Sequence, residues 1–140
     1  MTQAEIKLEH NWRQKTLENL EKDIWDQPDF ESHLTTRCYE LRKITLNKFT
    51  TEDLRIMIGQ QIGLKYVVPL AIETLTKDIF SEGDLYPGDL LKTLLHIDTS
   101  FWALHKEYWK QLDDLIKDRR QELNKFKIST DKFDSCTIKN

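Results

Sequence analysis

The sequence predicts an all-α fold, organised as a single compact domain of about five to seven helices. Apolar residues recur three or four positions apart along most of the chain, which is the period of an amphipathic helix, and strand-like alternation is scarce. Four tryptophans, four tyrosines and six phenylalanines among 140 residues indicate a hydrophobic core rather than intrinsic disorder. We therefore take residues 1–140 as one domain and expect residues 1–11 and 128–140 to be flexible.

Two helices are predicted in the first third of the chain. Thr16 is placed to cap a helix over residues 17–23, whose apolar face would include Ile24. A second helix is expected over about residues 30–43, where apolar side chains at positions 34, 38 and 41 share one face.

The best-marked helix begins after Thr50, because Glu52 and Asp53 fall in its first turn, where acidic side chains favour the helix dipole. It is expected to end near Gln60. Gly59 and Gly63 predict a tight corner leading into the next helix.

That next helix is expected over about residues 64–79, with a kink or a restart near Val68, because Pro69 lacks a backbone donor. A turn over residues 84–88 follows, and Pro87 is expected to be the first residue of a short apolar helix. A last long helix is predicted from a cap at Asp98 or Ser100 to about residue 123.

Cysteine usage and hydropathy favour a cytoplasmic, soluble protein. Cys38 and Cys136 are far apart and form no CxxC pair, so free thiols are the main interpretation and a disulfide between them is the lesser one. No secretory signal pattern is evident, and the longest apolar stretch is far shorter than the ~20 residues of a membrane span.

The sequence carries no recognisable pattern for catalysis, a cofactor or a metal. The four histidines form no metal-binding spacing with one another or with cysteine, and a phosphate-binding loop, a nucleophile elbow and a dinucleotide fingerprint are all missing. Asp113 and Asp114 are adjacent, so on a helix they diverge and form no acid–base pair. We therefore predict that the protein is not an enzyme and that it needs no cofactor.

The charge is unevenly distributed along the chain. Residues 17–31 contain six acidic residues and one lysine, and residues 73–98 contain six acidic residues and two lysines, within a net charge of −3. Two acidic segments of this kind suit a basic partner, although charge alone favours the simpler interpretation of a solvated surface. The basic residues between Lys117 and Lys127 are diluted by acidic ones, so direct nucleic-acid binding is not expected.

Two stretches of the sequence together resemble a known family. They are TEDLRIMIGQQIGLKYVVPLAIETL at residues 51–75 and EGDLYPGDLL at residues 82–91. The pair is similar to the small helical immunity proteins of bacterial contact-dependent growth inhibition (CDI) systems. The similarity covers about 90 residues in the middle of the chain, and its specificity comes from the two stretches in combination.

The resemblance implies a cytosolic protein that binds the toxin C-terminal domain delivered by neighbouring cells and neutralises it as a 1:1 complex. Such toxins are most often nucleases, whose phosphate-binding clefts are basic. The resemblance also implies that motif residues such as Leu54, Ile58, Tyr86, Gly88 and Leu90 belong to the scaffold rather than to the toxin contact.

Acidic side chains are the candidate toxin contacts. We expect the first surface to contain Glu18, Glu21, Asp23 and Asp26, and the second to contain Glu82 and Asp84. Because Glu82 and Asp84 lie in the family motif, a role in capping the next helix is an equal alternative. Tryptophans 12, 25 and 109 could anchor an interface, but burial in the core is the favoured interpretation for each.

Two other functions compete with toxin neutralisation. A helical adaptor that binds a different protein would share the composition and the fold class. An RNA-binding protein would use the basic residues between Lys117 and Lys127 and would bind in a salt-sensitive way.

Overall fold

A computed structural model describes residues 8–28 and 32–136 of the chain. Among these residues the regular structure is helical, apart from one isolated β-bridge between Glu82 and Pro87, so the predicted all-α fold is confirmed. Two short 3-10 helices cover Trp12–Gln14 and Leu46–Lys48. The α-helices of the described residues are α1 (Leu17–Glu21), α2 (His33–Leu41), α3 (Thr51–Gly59), α4 (Leu64–Lys77), α5 (Asp89–Leu95), α6 (Thr99–Leu104), α7 (Lys106–Ile116), α8 (Arg120–Lys125) and α9 (Asp131–Ser135).

The predicted caps of the first and third helices are confirmed. The Thr16 hydroxyl accepts a hydrogen bond from the backbone N–H of Asn19 at 3.2 Å. Thr50 and Asp53 form a reciprocal capping box: the Thr50 hydroxyl accepts from the Asp53 N–H at 3.1 Å, and the Asp53 carboxylate accepts from the Thr50 N–H at 3.0 Å. Local side-chain chemistry therefore fixes where these helices begin.

The first helix is shorter than its apolar pattern suggested. Lys22 adopts a left-handed backbone with φ 53°, which ends α1 at Glu21. Ile24 consequently lies beyond the helix and is 74% exposed, so its expected place on the apolar face is wrong. The second helix is capped by Ser32, and the residues 29–31, where its start was expected, lie outside the described residues.

The centre of the fold is formed by α3, α4 and α5, which pack on one another, while α4 also packs against α7. Gly63 makes the corner between α3 and α4 with φ 63°, and a Cβ there would lie 2.7 Å from Leu17 Cδ1. The corner therefore requires glycine for its backbone and for its contact with α1. Fully buried side chains of this centre include Met57, Ile58, Val67, Val68, Ala71, Leu90, Leu91 and Leu94.

The helix around Pro69 continues without a restart. The missing N–H of proline would have paired with the carbonyl of Lys65, and that carbonyl accepts a hydrogen bond from the Tyr108 hydroxyl at 3.0 Å instead. Burial of Tyr108 raises the pKa of its hydroxyl to about 12. A side chain from α7 thus satisfies the backbone group that proline leaves free.

The predicted last long helix is broken, so that expectation is wrong. His105 has φ −131° and ψ 60°, which separates α6 from α7, and α7 ends at Ile116 before α8 begins. The His105 ring stacks on Phe101, with ring centroids 4.2 Å apart, and its Nδ1 lies 2.9 Å from the Phe101 carbonyl oxygen. Leu104, which continued the helical rhythm, is 79% exposed because the chain turns at His105.

The segment over residues 128–136, which the sequence predicts to be flexible, contains side chains that pack against the core. Ile128 and Phe133 are buried, and the Phe133 ring meets the Trp102 and Trp109 rings with centroids 5.3 Å apart in each case. The polar residues around these two side chains hide their periodicity, because one apolar residue per turn and a half gives no helical pattern. Residues 137–140 lie outside the described residues.

The start of the described chain is also in contact with the core. Leu8 packs against the core, and the Glu9 carboxylate accepts a hydrogen bond from the Tyr66 hydroxyl at 2.9 Å. These contacts fall within the segment 1–11 that the sequence predicts to be flexible, and residues 1–7 of that segment lie outside the described residues.

Both cysteines are free, as the main interpretation of the sequence predicted. Among the described helices, none has the length and hydropathy needed to cross a bilayer. Residues 8–28 and 32–136 also bring no three His, Cys, Asp or Glu side chains together in a way that could hold a metal ion.

Candidate interaction surfaces

A buried arginine organises the first acidic segment. Arg42, at the end of α2, is 1% exposed and donates hydrogen bonds to the Glu21 carboxylate and to the backbone carbonyl of Asp23. Its guanidinium carbon lies 4.3 Å from the centroid of the Trp25 ring. Next to it, Lys43 Nζ lies 2.6 Å from Glu18 Oε2. The chain after α1 is therefore held against the end of α2 by charges.

These contacts divide the four acidic residues predicted for the first surface. Glu18 and Glu21 are engaged in ion pairs within the chain. Asp23 accepts a hydrogen bond from Trp25 Nε1 at 3.2 Å, and Asp26 is exposed with no hydrogen bond or ion pair to the described residues. Two of the four carboxylates thus remain largely available to a partner.

The three candidate anchor tryptophans lie in different environments. Trp12 is buried, and Trp109 is half-buried with its ring stacked on Phe133, which agrees with a core role for both. Trp25 is 36% exposed because it covers Arg42 from the solvent side. The core role expected for Trp25 is therefore wrong.

A buried carboxylate organises the second acidic segment. Asp89 is 1% exposed, and it accepts hydrogen bonds from the backbone N–H groups of Gly83 at 2.7 Å, Leu85 at 3.0 Å and Tyr86 at 3.4 Å. We call residues 82–88, which this carboxylate holds in place, the 82–88 loop. Three backbone donors converge on one side chain, so the loop has a defined shape.

The start of α5 differs from its prediction. The helix begins at Asp89 after Gly88, whose φ is 91°, and Pro87 lies in the β-bridge with Glu82 rather than in the first turn. Glu82 and Asp84 do not cap the helix: its N-cap residue is Gly88, and no side chain of the described residues forms a capping hydrogen bond there.

Two side chains of α3 hold the other side of the loop. The Glu52 carboxylate accepts a hydrogen bond from the Asp84 N–H at 2.9 Å and one from Arg55 Nε at 2.6 Å. Arg55 Nε also lies 3.8 Å from the Asp89 carboxylate. The hydrogen bond from Arg55 lowers the pKa of Glu52 below its ordinary value, and the Asp84 N–H adds to this effect.

The packing of the loop on α3 is tight at Gly83. A Cβ on Gly83 would lie 2.5 Å from Glu52 Oε1 and 3.3 Å from the Glu52 Cα atom. The glycine therefore allows the loop backbone to approach α3 closely enough for the Glu52 hydrogen bond to Asp84.

The side chains that the loop presents to solvent are acidic or apolar. Glu82 and Asp84 are exposed, and neither carboxylate forms a hydrogen bond or an ion pair with the residues that the structure describes. Leu85 and Tyr86 are 59% and 40% exposed. Leu54, Ile58, Gly88 and Leu90 are buried, as expected of scaffold residues, whereas Tyr86 is at the surface.

Sequence comparison assigns the chain to a family. A family model of CDI immunity proteins matches residues 19–112, which is more than half of the chain. The chain belongs to the CDI immunity protein family. No curated protein and no solved structure matches the chain of this CDI immunity protein. The match includes the 82–88 loop, the α3 residues that hold it and Arg42.

Proposed function

We propose that this CDI immunity protein binds one cognate toxin domain in the bacterial cytosol, as a 1:1 complex, and thereby neutralises it. The toxin domain would be a nuclease, and the immunity protein would use no cofactor and would not itself bind nucleic acid. The observation that carries the proposal is the match of residues 19–112 to CDI immunity proteins.

The exposed charges support a basic partner. A nuclease binds the phosphates of its substrate in a positively charged cleft, so an inhibitor with unpaired carboxylates complements that cleft. Neither Glu82 nor Asp84 forms an ion pair with the described residues. Complementary charge of this kind raises the association rate and disfavours wrong partners.

The 82–88 loop is the surface that we propose for the main toxin contact. Asp89 and Glu52 already hold its backbone, so little conformational entropy remains to be lost on binding. Its exposed Leu85 and Tyr86 add apolar area beside the two carboxylates. A preformed surface that combines charge and apolar area is typical of a binding site.

The first acidic segment has a secondary role in the proposal. Asp23 and Asp26 are exposed and would lie at the rim of the interface, where charges act mainly on the association rate. Glu18 and Glu21 would position this segment through Lys43 and Arg42 rather than meet the toxin.

Co-expression tests the proposal. The C-terminal domain encoded by the reading frame immediately upstream would be induced in bacteria with and without this protein. We expect the domain alone to stop growth and co-expression to restore it, and we expect light scattering of the purified mixture to give the mass of a 1:1 complex. Growth arrest that persists despite co-expression would reject the proposal.

A nuclease assay tests the finer part. The purified domain should degrade RNA or DNA, and an equimolar amount of this protein should stop the degradation. The immunity protein alone should not retard RNA in a gel at low salt, where non-specific phosphate contacts are strongest. Retardation at low salt would favour the competing RNA-binding function.

A further inference from the structure

Gly59 occupies a position where the backbone does not require glycine. It is the last residue of α3, and its backbone lies outside the left-handed region that glycine usually serves at the end of a helix. The left-handed residue is Gln61, with φ 55°. Glycine is also among the weakest helix-forming residues, so its presence in the last turn of α3 needs another reason.

Packing within the chain does not require glycine at this position either. The nearest heavy atom to a Cβ built on Gly59 is Thr93 Cγ2, at an ordinary contact distance of 3.7 Å. Gly63, Gly83 and Gly88 differ in this respect, because a Cβ on each of them would come within 3.0 Å of a neighbouring side chain. An alanine would therefore fit at position 59 with a gain in helix propensity.

Gly59 forms part of the wall of an open cavity of about 300 Å³. The cavity lies between the end of α3, one side of α5 and the 82–88 loop, and its lining includes Ile58, Ile97, Thr93 and Lys92. The exposed Leu85 and Tyr86 also line it. Because residue 59 has no side chain, the cavity is open on the α3 side.

The surroundings of the cavity indicate the chemistry of its occupant. Leu85 and Tyr86 provide apolar and aromatic surface, and an aromatic ring packs favourably against another at an offset or an edge. Glu82 and Asp84, on the same short loop, form no ion pair with the described residues and would pair with basic side chains of a partner. Aromatic residues that fill pockets commonly supply most of the binding energy of an interface.

We propose that this cavity receives an aromatic side chain from a basic segment of the cognate toxin domain, and that Gly59 keeps the cavity open for it. The inference rests on the proposed function and specifies its binding site. Glu82 and Asp84 would pair with the basic residues on either side of the aromatic anchor.

Substitution at position 59 tests the inference. Gly59→Trp would place an indole in the cavity, and Gly59→Ala is the matched control because it changes the backbone in the same way without filling the space. Affinity for the purified toxin domain encoded upstream would be measured by calorimetry. We expect Gly59→Ala, whose methyl group narrows the α3 side of the cavity, to bind a few-fold more weakly than the wild type, and Gly59→Trp to bind at least about 100-fold more weakly.

A second variant decides the matter if Gly59→Trp does not fold. Tyr86→Ala removes an exposed ring from the cavity wall and should weaken binding about tenfold without lowering the melting temperature. Equal affinity for Gly59→Trp and Gly59→Ala, or wild-type affinity for Tyr86→Ala, would overturn the inference while leaving toxin neutralisation intact. If the wild type itself neither binds nor neutralises the domain, the proposed function fails instead.

Discussion

The two acidic segments of this protein are organised around buried charges of opposite sign. In the first, buried Arg42 binds the Glu21 carboxylate and the Asp23 carbonyl. In the second, buried Asp89 binds three backbone N–H groups and leaves the carboxylates of Glu82 and Asp84 exposed. The buried cation therefore pairs with an acidic side chain of its segment. The buried anion binds backbone donors instead, so the acidic side chains of its segment stay available to a partner.

The two acidic segments also differ in how firmly their backbones are held. The backbone around Asp23 is tied to Arg42 through a carbonyl, while the 82–88 loop is held from two sides, by Asp89 of α5 and Glu52 of α3. A loop with its donors satisfied on both sides loses little freedom on binding. This difference makes the second segment the better preformed binding surface.

The largest effect is expected from removal of the buried anion. Asp89→Ala would leave three loop N–H groups without their acceptor and would remove one of the two carboxylates beside Arg55, so the free energy of unfolding should fall by about 3 kcal/mol. Urea denaturation measures this fall. Asp89→Asn keeps one acceptor oxygen, so its free energy of unfolding should lie between those of the wild type and Asp89→Ala. Toxin affinity should fall in the same order, from the wild type through Asp89→Asn to Asp89→Ala.

An Asp89→Ala protein as stable as the wild type would contradict the assignment of Asp89 as the residue that holds the loop. Reduced stability with unchanged toxin affinity would instead separate the loop from the binding surface.

Removal of the buried cation should have a smaller effect. Arg42→Met retains much of the side-chain volume. The Glu21 carboxylate, which loses its ion pair in this variant, can be hydrated because the Glu21 side chain is 34% exposed. The free energy of unfolding should therefore fall by about 1–2 kcal/mol in urea denaturation. Toxin affinity should change less than for Asp89→Ala, since Arg42 positions the secondary segment. A larger loss of affinity for Arg42→Met than for Asp89→Ala would reverse the ranking of the two surfaces.

The smallest effect is expected from pH. Folding lowers the pKa of Glu52 below its ordinary value of 4.5, chiefly through the hydrogen bond from Arg55. The stabilisation is therefore present above pH 4.5 and is lost as the pH falls through the lower pKa of the folded state. Glu52→Gln should cost about 1 kcal/mol in urea denaturation at pH 6, and the cost should shrink at pH 3.5.

The surface pair Arg119–Glu122 provides the control for that measurement, because it has the same three-residue spacing and both side chains are more than 40% exposed. Glu122→Gln should have little effect at either pH, since exposed ion pairs contribute little. An equal fall in the free energy of unfolding for Glu52→Gln and Glu122→Gln would indicate that Glu52 stabilises the fold no more than an exposed surface charge does.

Local rules of the sequence predicted much of the fold. The caps at Thr16 and Thr50 depend on contacts within four residues, and both are found where the sequence placed them. The break at His105 was missed because apolar residues continue at helical spacing on both sides of it. The packing of Phe133 was missed because it depends on Trp102 and Trp109, which are distant in sequence.

The candidate site could be predicted only in part. Charge counting found both acidic segments, but it could not distinguish Glu21, which is paired, from Glu82, which is exposed. That distinction depends on Arg42, which looks like an ordinary surface charge beside Lys43 in the sequence and is buried in the fold. Asp89 likewise looks like an ordinary surface charge in the sequence, because its buried role depends on a loop that turns back onto α5.

Charge reversal on the 82–88 loop is the most direct test of its contact with the toxin. Toxin affinity would be measured by calorimetry for Glu82→Lys/Asp84→Lys, for Asp23→Lys/Asp26→Lys, and for Asp118→Lys as a control on an exposed acidic residue outside the family match. We expect a loss of at least about tenfold for the loop pair, a smaller loss for the first pair and none for the control. Wild-type affinity for the loop pair, with melting temperature unchanged, would contradict the assignment of the 82–88 loop as the toxin-binding surface.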